Sequence, residues 1–217
     1  MYSSHIEAFK KHLRLTDRQR QTLVGILLGD GHLETRNFGR TFRLKIEQSV
    51  RHQEYVNHLY EIFGNWVRSF PRVRKVKIPT HQSVNVCFST LSHTAFRYYG
   101  EKFYKNRRKI LPDDIKSLLT PRGFAYWYMD DGSIKSSESK GVILNTQSFE
   151  FYEVQHLCDV LKSLFDFDCK PRRQKEGFQI YISGKSYSKF KDLVLPYIVP
   201  EMLYKIPAER LTHLPKK

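Results

Sequence analysis

A chain of 217 residues, 40% hydrophobic and 14% aromatic, can bury a core as one large domain or two small packed ones, which excludes a disordered chain. Although charge alone also fits a merely soluble basic protein, a partner dense in negative charge would explain its net charge of +15 and pI near 9.7. Nucleic acid suits that better than an anionic membrane, because no long amphipathic basic helix stands out.

Cys87, Cys158 and Cys169 form no C-x-x-C pair, which argues against a disulfide framework or a zinc ribbon and fits a reducing compartment. The nine histidines lack ligand spacing, and none is read as a metal ligand. The N-terminus has no apolar signal core and no run is long enough to span a membrane, so the expected setting is intracellular.

Residues 5–14 read as a short amphipathic lead-in helix. Thr16 and Gln19 then form a capping box that opens a helix running to Leu28 or Gly29, where Asp30-Gly31 stops it. Gly25 and Gly29, four residues apart, let a second helix approach closely. A loop over 32–39 leads to an alternating strand over 41–48, with Phe42, Leu44 and Ile46 inward and Arg43, Lys45 and Glu47 outward. A helix over 52–63, a basic segment over 68–77 and a strand over 83–89 follow, the last with Val84, Val86 and Phe88 inward. Residues 91–103 read as helical, and Lys109 with Pro112 closes this half.

The second half repeats the programme. Thr120 caps a helix with Pro121 at its first position, and that helix ends at Asp131-Gly132. A strand over 142–147, a helix over 152–165, a basic stretch over 170–175, a strand over 178–183 and a helix over 186–197 follow, closing at Lys205 and Pro207. Val86 to Ser89 align with Ile180 to Ser183, Phe96 with Phe190, and Phe103 with Tyr197. No Gly/Ser-rich or Pro-rich linker separates the halves. The expected division is a lead-in over 1–15 and two halves over 16–112 and 113–217, packed as one pseudo-symmetric molecule.

The two helices end alike. LVGILLGDG (23–31) and FAYWYMDDG (124–132) are apolar runs finishing in an acid and a glycine, their acids 101 positions apart. Two apolar helices that each deliver a carboxylate suit paired metal-dependent sites. One Asp-Gly after a helix is an ordinary turn; two at half-chain spacing in a basic protein favour catalysis.

These stretches resemble the signature of the LAGLIDADG homing endonucleases in their single-chain, two-motif form. The first copy matches at Leu23, Gly25, Asp30 and Gly31, the second at Ala125, Asp131 and Gly132. Through AYWYMDDG, VILNTQSF and PYIVPEMLYKIP the chain is similar to the yeast mitochondrial intron-encoded member. The resemblance implies an α+β fold: a pseudo-twofold repeat of αββαββα units, with the motif helices packed at the centre. Two antiparallel sheets would form a DNA-binding saddle around them. Two departures bear on packing. Leu28 and Met129 stand where the motif has Asp, and Tyr126 replaces a small residue and is expected beside Gly25 or Gly29.

The same resemblance implies Mg²⁺-dependent hydrolysis, with Mn²⁺ as a substitute, that leaves four-nucleotide 3′ overhangs. Magnesium keeps several waters and needs few carboxylates. Asp30 and Asp131 would each serve one strand, the main-chain carbonyls of Gly29 and Asp130 joining the coordination. Adjacent helical positions point about 100° apart, so both carboxylates cannot face the metal equally; the phase of the family motif selects Asp131 and leaves Asp130 as a supporting or an exposed acid. Lys109 and Lys205 match the family's basic position near the scissile phosphate, and Gln48 and Gln147 are candidates for ordering water. Arg43, Lys45, Arg72, Arg74, Asn85, Lys135, Asn145, Arg172, Arg173 and Gln179 are candidates for contacting DNA from the polar strand faces.

The expected function is therefore a monomeric, intron-encoded endonuclease that cuts both strands of a long asymmetric DNA target, with no membrane partner. Its setting would be a mitochondrion, a chloroplast or a prokaryotic cytoplasm. The alternatives are an RNA maturase that binds intron RNA, or a non-catalytic DNA-binding regulator. Neither alternative needs Asp30 and Asp131.

Overall fold

The computed structural model describes residues 2–78 and 81–208. The lead-in helix α1 spans Tyr2–His12. The first half then runs α2 (Asp17–Leu28), β1 (His32–Glu34), β2 (Arg43–Ser49), α3 (Gln53–Phe63), β3 (Arg72–Ile78), β4 (His81–Ser89) and α4 (Arg97–Phe103). A short hairpin, β5 (Tyr104–Lys105) with β6 (Arg108–Lys109), and the turn of helix α5 (Ile115–Leu118) lead across. The second half runs α6 (Pro121–Asp131), β7 (Gly132–Ile134), β8 (Val142–Leu144), α7 (Phe151–Phe165), β9 (Cys169–Gln174), β10 (Gly177–Ile182) and α8 (Tyr187–Val194).

The two sheets have the same topology. One has strand order β1-β2-β4-β3 and the other β7-β8-β10-β9, with every pair antiparallel. The αββαββα repeat is thus present twice. The capping box forms as written: Gln19 N–H donates to Thr16 Oγ1 over 3.2 Å, and Thr16 N–H to Gln19 Oε1 over 3.0 Å. Thr120 Oγ1 accepts from Gly123 N–H at 3.1 Å.

Helices α2 and α6 meet at their glycines. A Cβ on Gly25 would stand 2.1 Å from the Gly123 carbonyl oxygen and 3.0 Å from Tyr126 Cβ. Two backbones can come this close only where one side chain is missing. Tyr126 is accommodated beside Gly25, and its hydroxyl reaches His58 Nε2 at 2.7 Å. Behind α6 an aromatic cluster locks the second half, with Phe124, Tyr128, Phe167 and Phe190 buried and the Tyr128 and Phe190 ring centres 4.8 Å apart. Such ring pairs add roughly 0.5–1.5 kcal/mol beyond their area. Among the described residues, no helix is long and apolar enough to cross a membrane.

Several expectations need correction. The loop over 32–39 begins with strand β1, and the basic stretches over 68–77 and 170–175 are strands β3 and β9. Both β3 and β9 are edge strands. Edge strands carry charge on both faces, which hides the alternation that a half-buried strand shows. Strand β8 is shorter than expected and ends at Leu144. Residues 91–93 are not helical; the helix is entered through a 3-10 turn at Thr94–Phe96, where His93 Nδ1 accepts from Ala95 N–H. Val84 is 36% exposed rather than inward, because it lies one residue past the last β2–β4 pairing, Ser49 with Asn85.

Candidate active site

Both motif helices end where the chain folds back on itself. Gly31 N–H donates to the Ile26 carbonyl at 2.7 Å, and the Gly132 N–H donates to that of Tyr128. A Cβ on either glycine would clash with the carbonyl its own N–H bonds, at 2.7 Å and 2.3 Å. The turns therefore require glycine, and each follows an acid at the junction of helix and sheet, Asp30 exposed and Asp131 half-buried.

Different donors hold the two acids. Gln48, on β2, donates from Nε2 to Asp30 Oδ2 over 2.7 Å. Trp127, one helical turn before Asp131, donates from Nε1 to Asp131 Oδ2 over 3.2 Å. Gln147, a candidate for ordering water, lies in the turn beyond β8, outside the strand. Asn145 binds the main chain of the second acid: its N–H and its Nδ2 both donate to the Asp131 main-chain oxygen, at 3.0 and 2.9 Å. The repeated Gln-Ser pair aligned two residues that the shorter β8 sets apart.

Lys109 and Lys205 converge on the helix ends. Lys109 Nζ donates to the carbonyls of Gly29 and Gly31, at 2.7 and 3.0 Å. Lys205 Nζ donates to the Met129 carbonyl and, at 3.1 Å, to that of Asp130. Burial lowers the pKa of both lysines, opposed by the charges of Asp131, Asp130 and Asp30. Tyr128 Oη donates to the Lys205 carbonyl at 2.6 Å and fixes that segment. The Gly29 and Asp130 carbonyls, expected at a metal, thus already accept from ammonium groups, each with a second lone pair free.

Burial, reinforced by the Asp30 charge, pushes the Asp131 carboxyl up to about 7, against the Trp127 hydrogen bond and the two lysines. Burial, followed by the charges of Asp30 and Asp131, pushes Asp130 well above the ordinary range. The site thus holds more carboxylate than its burial favours in charged form, a setting that a cation would relieve. Among the described residues no group of three or more His, Cys, Asp or Glu is arranged to hold a metal. This donor set fits magnesium, which takes one or two carboxylates and completes its shell with water and phosphate oxygens.

The polar sheet faces flank the site. Cross-strand register puts Arg43 and Lys45 of β2, Asn85 of β4, and Arg72 and Arg74 of β3 on one face. Two acids order it. Arg43 Nη2 meets Glu34 Oε2 at 2.5 Å, while Lys45 and Arg74 meet Glu47 Oε2 at 3.0 and 3.8 Å and Asn85 Nδ2 donates to Glu47 Oε1. On the second sheet, Arg172 pairs with Gln179, whose Nε2 donates to Asn145 Oδ1 at 2.6 Å, and Lys135 lies 5.3 Å from the centre of the Tyr181 ring. Arg173 departs from the group. It pairs with Phe178 and so lies on the opposite face from Arg172 and Gln179.

Reading by residue type missed Trp127, Tyr128 and the acids Glu34 and Glu47 at the site, and it named Asn145 only as a candidate for contacting DNA. Only Trp127 carried a signal, its spacing of four from Asp131 on one helix face.

This geometry has close parallels. The sequence pattern of the LAGLIDADG DNA endonuclease family matches residues 20–190. The chain is 34% identical over 211 residues to a probable intron-encoded endonuclease 1 of Wickerhamomyces canadensis, covering 94% of this chain and 90% of that protein. It is 31% identical over 196 residues to the cytochrome b mRNA maturase bI2 of Debaryomyces hansenii, covering 86% and 72%. Among solved structures, the homing endonuclease I-WcaI bound to its DNA recognition sequence superposes with a TM-score of 0.87 at 33% identity, covering 92% of this chain and 91% of that one. With its two motif helices, its two four-stranded sheets and its paired acids, the chain is a member of the LAGLIDADG DNA endonuclease family.

Proposed function

We propose that this endonuclease is a monomer that cuts both strands of a long, asymmetric DNA site by magnesium-dependent hydrolysis, with Asp30 and Asp131 each serving one strand. The observation that carries the reading is the pair of carboxylates at the ends of two helices in backbone contact, each with a lysine ammonium from its own half on the adjacent carbonyls.

A bound magnesium ion would supply an activated water and charge neutralisation at the scissile phosphate and leaving oxygen. Asp30 and Asp131 would hold it, with the free lone pairs of the Gly29 and Asp130 carbonyls in reach. Gln48 and Trp127 fix the two carboxylates, so little reorganisation is needed when the phosphate arrives. Lys109 and Lys205 place positive charge where the phosphate gains negative charge. The polar faces bearing Arg43, Lys45, Arg72, Arg74, Asn85, Lys135, Arg172 and Gln179 lie along the duplex, and because the halves differ in sequence the target is not a palindrome. By likeness to relatives named as intron-encoded, the gene lies in an intron of an organelle or a prokaryote, and the cut leaves four-nucleotide 3′ overhangs.

The likeness to a maturase favours one second reading, assistance to intron splicing through RNA binding. Retention of both acids supports the nuclease. A cleavage selection on a randomised long-duplex library with Mg²⁺ tests it: recovery of one site cut on both strands is expected. Enrichment by binding with no cutting would overturn the reading and make the host intron RNA the next ligand to assay.

A further inference from the structure

The seventh motif position differs between the copies: it is Gly29 in the first and Asp130 in the second. These two residues face each other across the helix pair. A Cβ on Gly29 would lie 2.5 Å from both Cβ and Oδ2 of Asp130, so the glycine leaves the space that the Asp130 carboxyl fills.

That carboxyl meets a specific need. Helix α2 ends at Leu28, and the N–H groups around its end return to helical carbonyls, Gly29 to Gly25 and Gly31 to Ile26. The Asp30 N–H is passed over. Its acceptor is Asp130 Oδ2 at 3.1 Å, from the other half of the molecule. A donor at a helix end that has no helical partner needs one from elsewhere. The Tyr55 hydroxyl is buried against the same carboxyl without a hydrogen bond of ordinary geometry, so α3 backs it from beneath. Asp131 has no such need, since it still lies within α6.

We propose that Asp130 is a positioning residue for Asp30: its carboxyl oxygen fixes the main chain that carries the reacting carboxylate of the first motif. The assignment rests on Asp30 and Asp131 as the reacting acids. It gives the two sites unequal support, since the Asp30 site borrows an acceptor across the pseudo-twofold and the Asp131 site does not.

The test is strand-resolved, single-turnover cleavage of the selected site by the full-length protein. Asp30→Asn and Asp131→Asn identify the strand that each acid serves. Asp130→Ala is expected to slow the Asp30 strand by about tenfold or more, the scale that misplacement of a reacting group brings, while the other strand stays within about twofold. Asp130→Asn keeps a carbonyl oxygen for the Asp30 N–H and is expected to restore the strand balance, which a purely structural loss would not allow. Equal slowing of both strands, or slowing confined to the Asp131 strand, would overturn the proposal.

A second readout is independent of cleavage. In the metal-free wild type, the amide of exposed Asp30 is expected to be protected from hydrogen exchange and to shift in Asp130→Ala spectra. An unprotected Asp30 amide would overturn the bond in the wild type itself, even if Asp130→Ala fails to fold. If the wild type cuts neither strand, the nuclease reading fails, and the amide alone then decides the hydrogen bond.

Discussion

Lys109 Nζ donates to the Gly29 carbonyl oxygen over 2.7 Å, tying the last residues of the first half to the end of its motif helix. Lys205 does the same at the other helix, on the Met129 and Asp130 carbonyls. Replacing either lysine by methionine keeps most of the apolar stem and removes the charge. Each variant is expected to lose roughly 10²–10³ in cleavage rate, as when one pre-set donor at a developing charge is removed. Kd for the DNA should change little. Single-turnover rates beside Kd check this, and a parallel loss of affinity would assign the lysines to binding alone.

Gly25 sets the distance between the halves. Gly25→Ala places a methyl carbon 2.1 Å from the Gly123 carbonyl oxygen, a rigid main-chain group. A destabilisation of about 1–3 kcal/mol or more is expected from this overpacking. Urea unfolding measures it, and an unchanged midpoint would mean that the helices are not in backbone contact.

The polar faces can be tested by register. Arg72 lies on the face shared with Arg74 and Asn85, whereas Arg173 lies opposite Arg172. Arg72→Ala is expected to weaken DNA binding and, if it contacts a phosphate, to reduce the salt slope by about 1. Arg173→Ala should leave both unchanged. Binding isotherms at several salt concentrations separate the two, and a loss from Arg173→Ala would mean that the duplex also uses the other face.

His58, held by Tyr126, provides a pH test of the helix interface. Burial lowers its pKa from an ordinary value of 6.5. The unfolded chain therefore takes up this proton before the folded one does. The stability His58 contributes is full above about pH 6.5 and is lost as pH falls through the lower folded value. In the metal-free protein Asp131 acts in the opposite sense, its raised pKa favouring the folded state as pH falls through about 7. The difference between wild type and His58→Gln isolates the histidine: wild type should lose more stability between pH 7 and 5. Parallel pH curves would show that His58 does not titrate in this window.

Most of the fold was legible because its signals are local. Thr16 and Gln19, Thr120 and Pro121, and the alternation of Phe42, Leu44 and Ile46 each specify an element from neighbouring residues alone. The edge strands β3 and β9 were not legible, because charge on both faces removes the period that marks a strand. Repetition of motif brings Asp30, Asp131, Lys109 and Lys205 to one centre, whereas the repeated Gln-Ser pair falls differently in the two halves, Gln48 within β2 and Gln147 beyond the shorter β8. The Asp130 contact with Gly29 and Asp30 lies between halves 100 positions apart, and no local pattern encodes it. Only the closeness of α2 and α6 reveals it.

The central claim is that two carboxylates each serve one strand, and cleavage of a supercoiled plasmid bearing the selected site measures it most directly. With Mg²⁺, wild type should give linear product, Asp30→Asn and Asp131→Asn should each stop at the nicked circle, on opposite strands, and the double variant should bind without cutting. Linear product from either single variant at the wild-type rate would contradict the account.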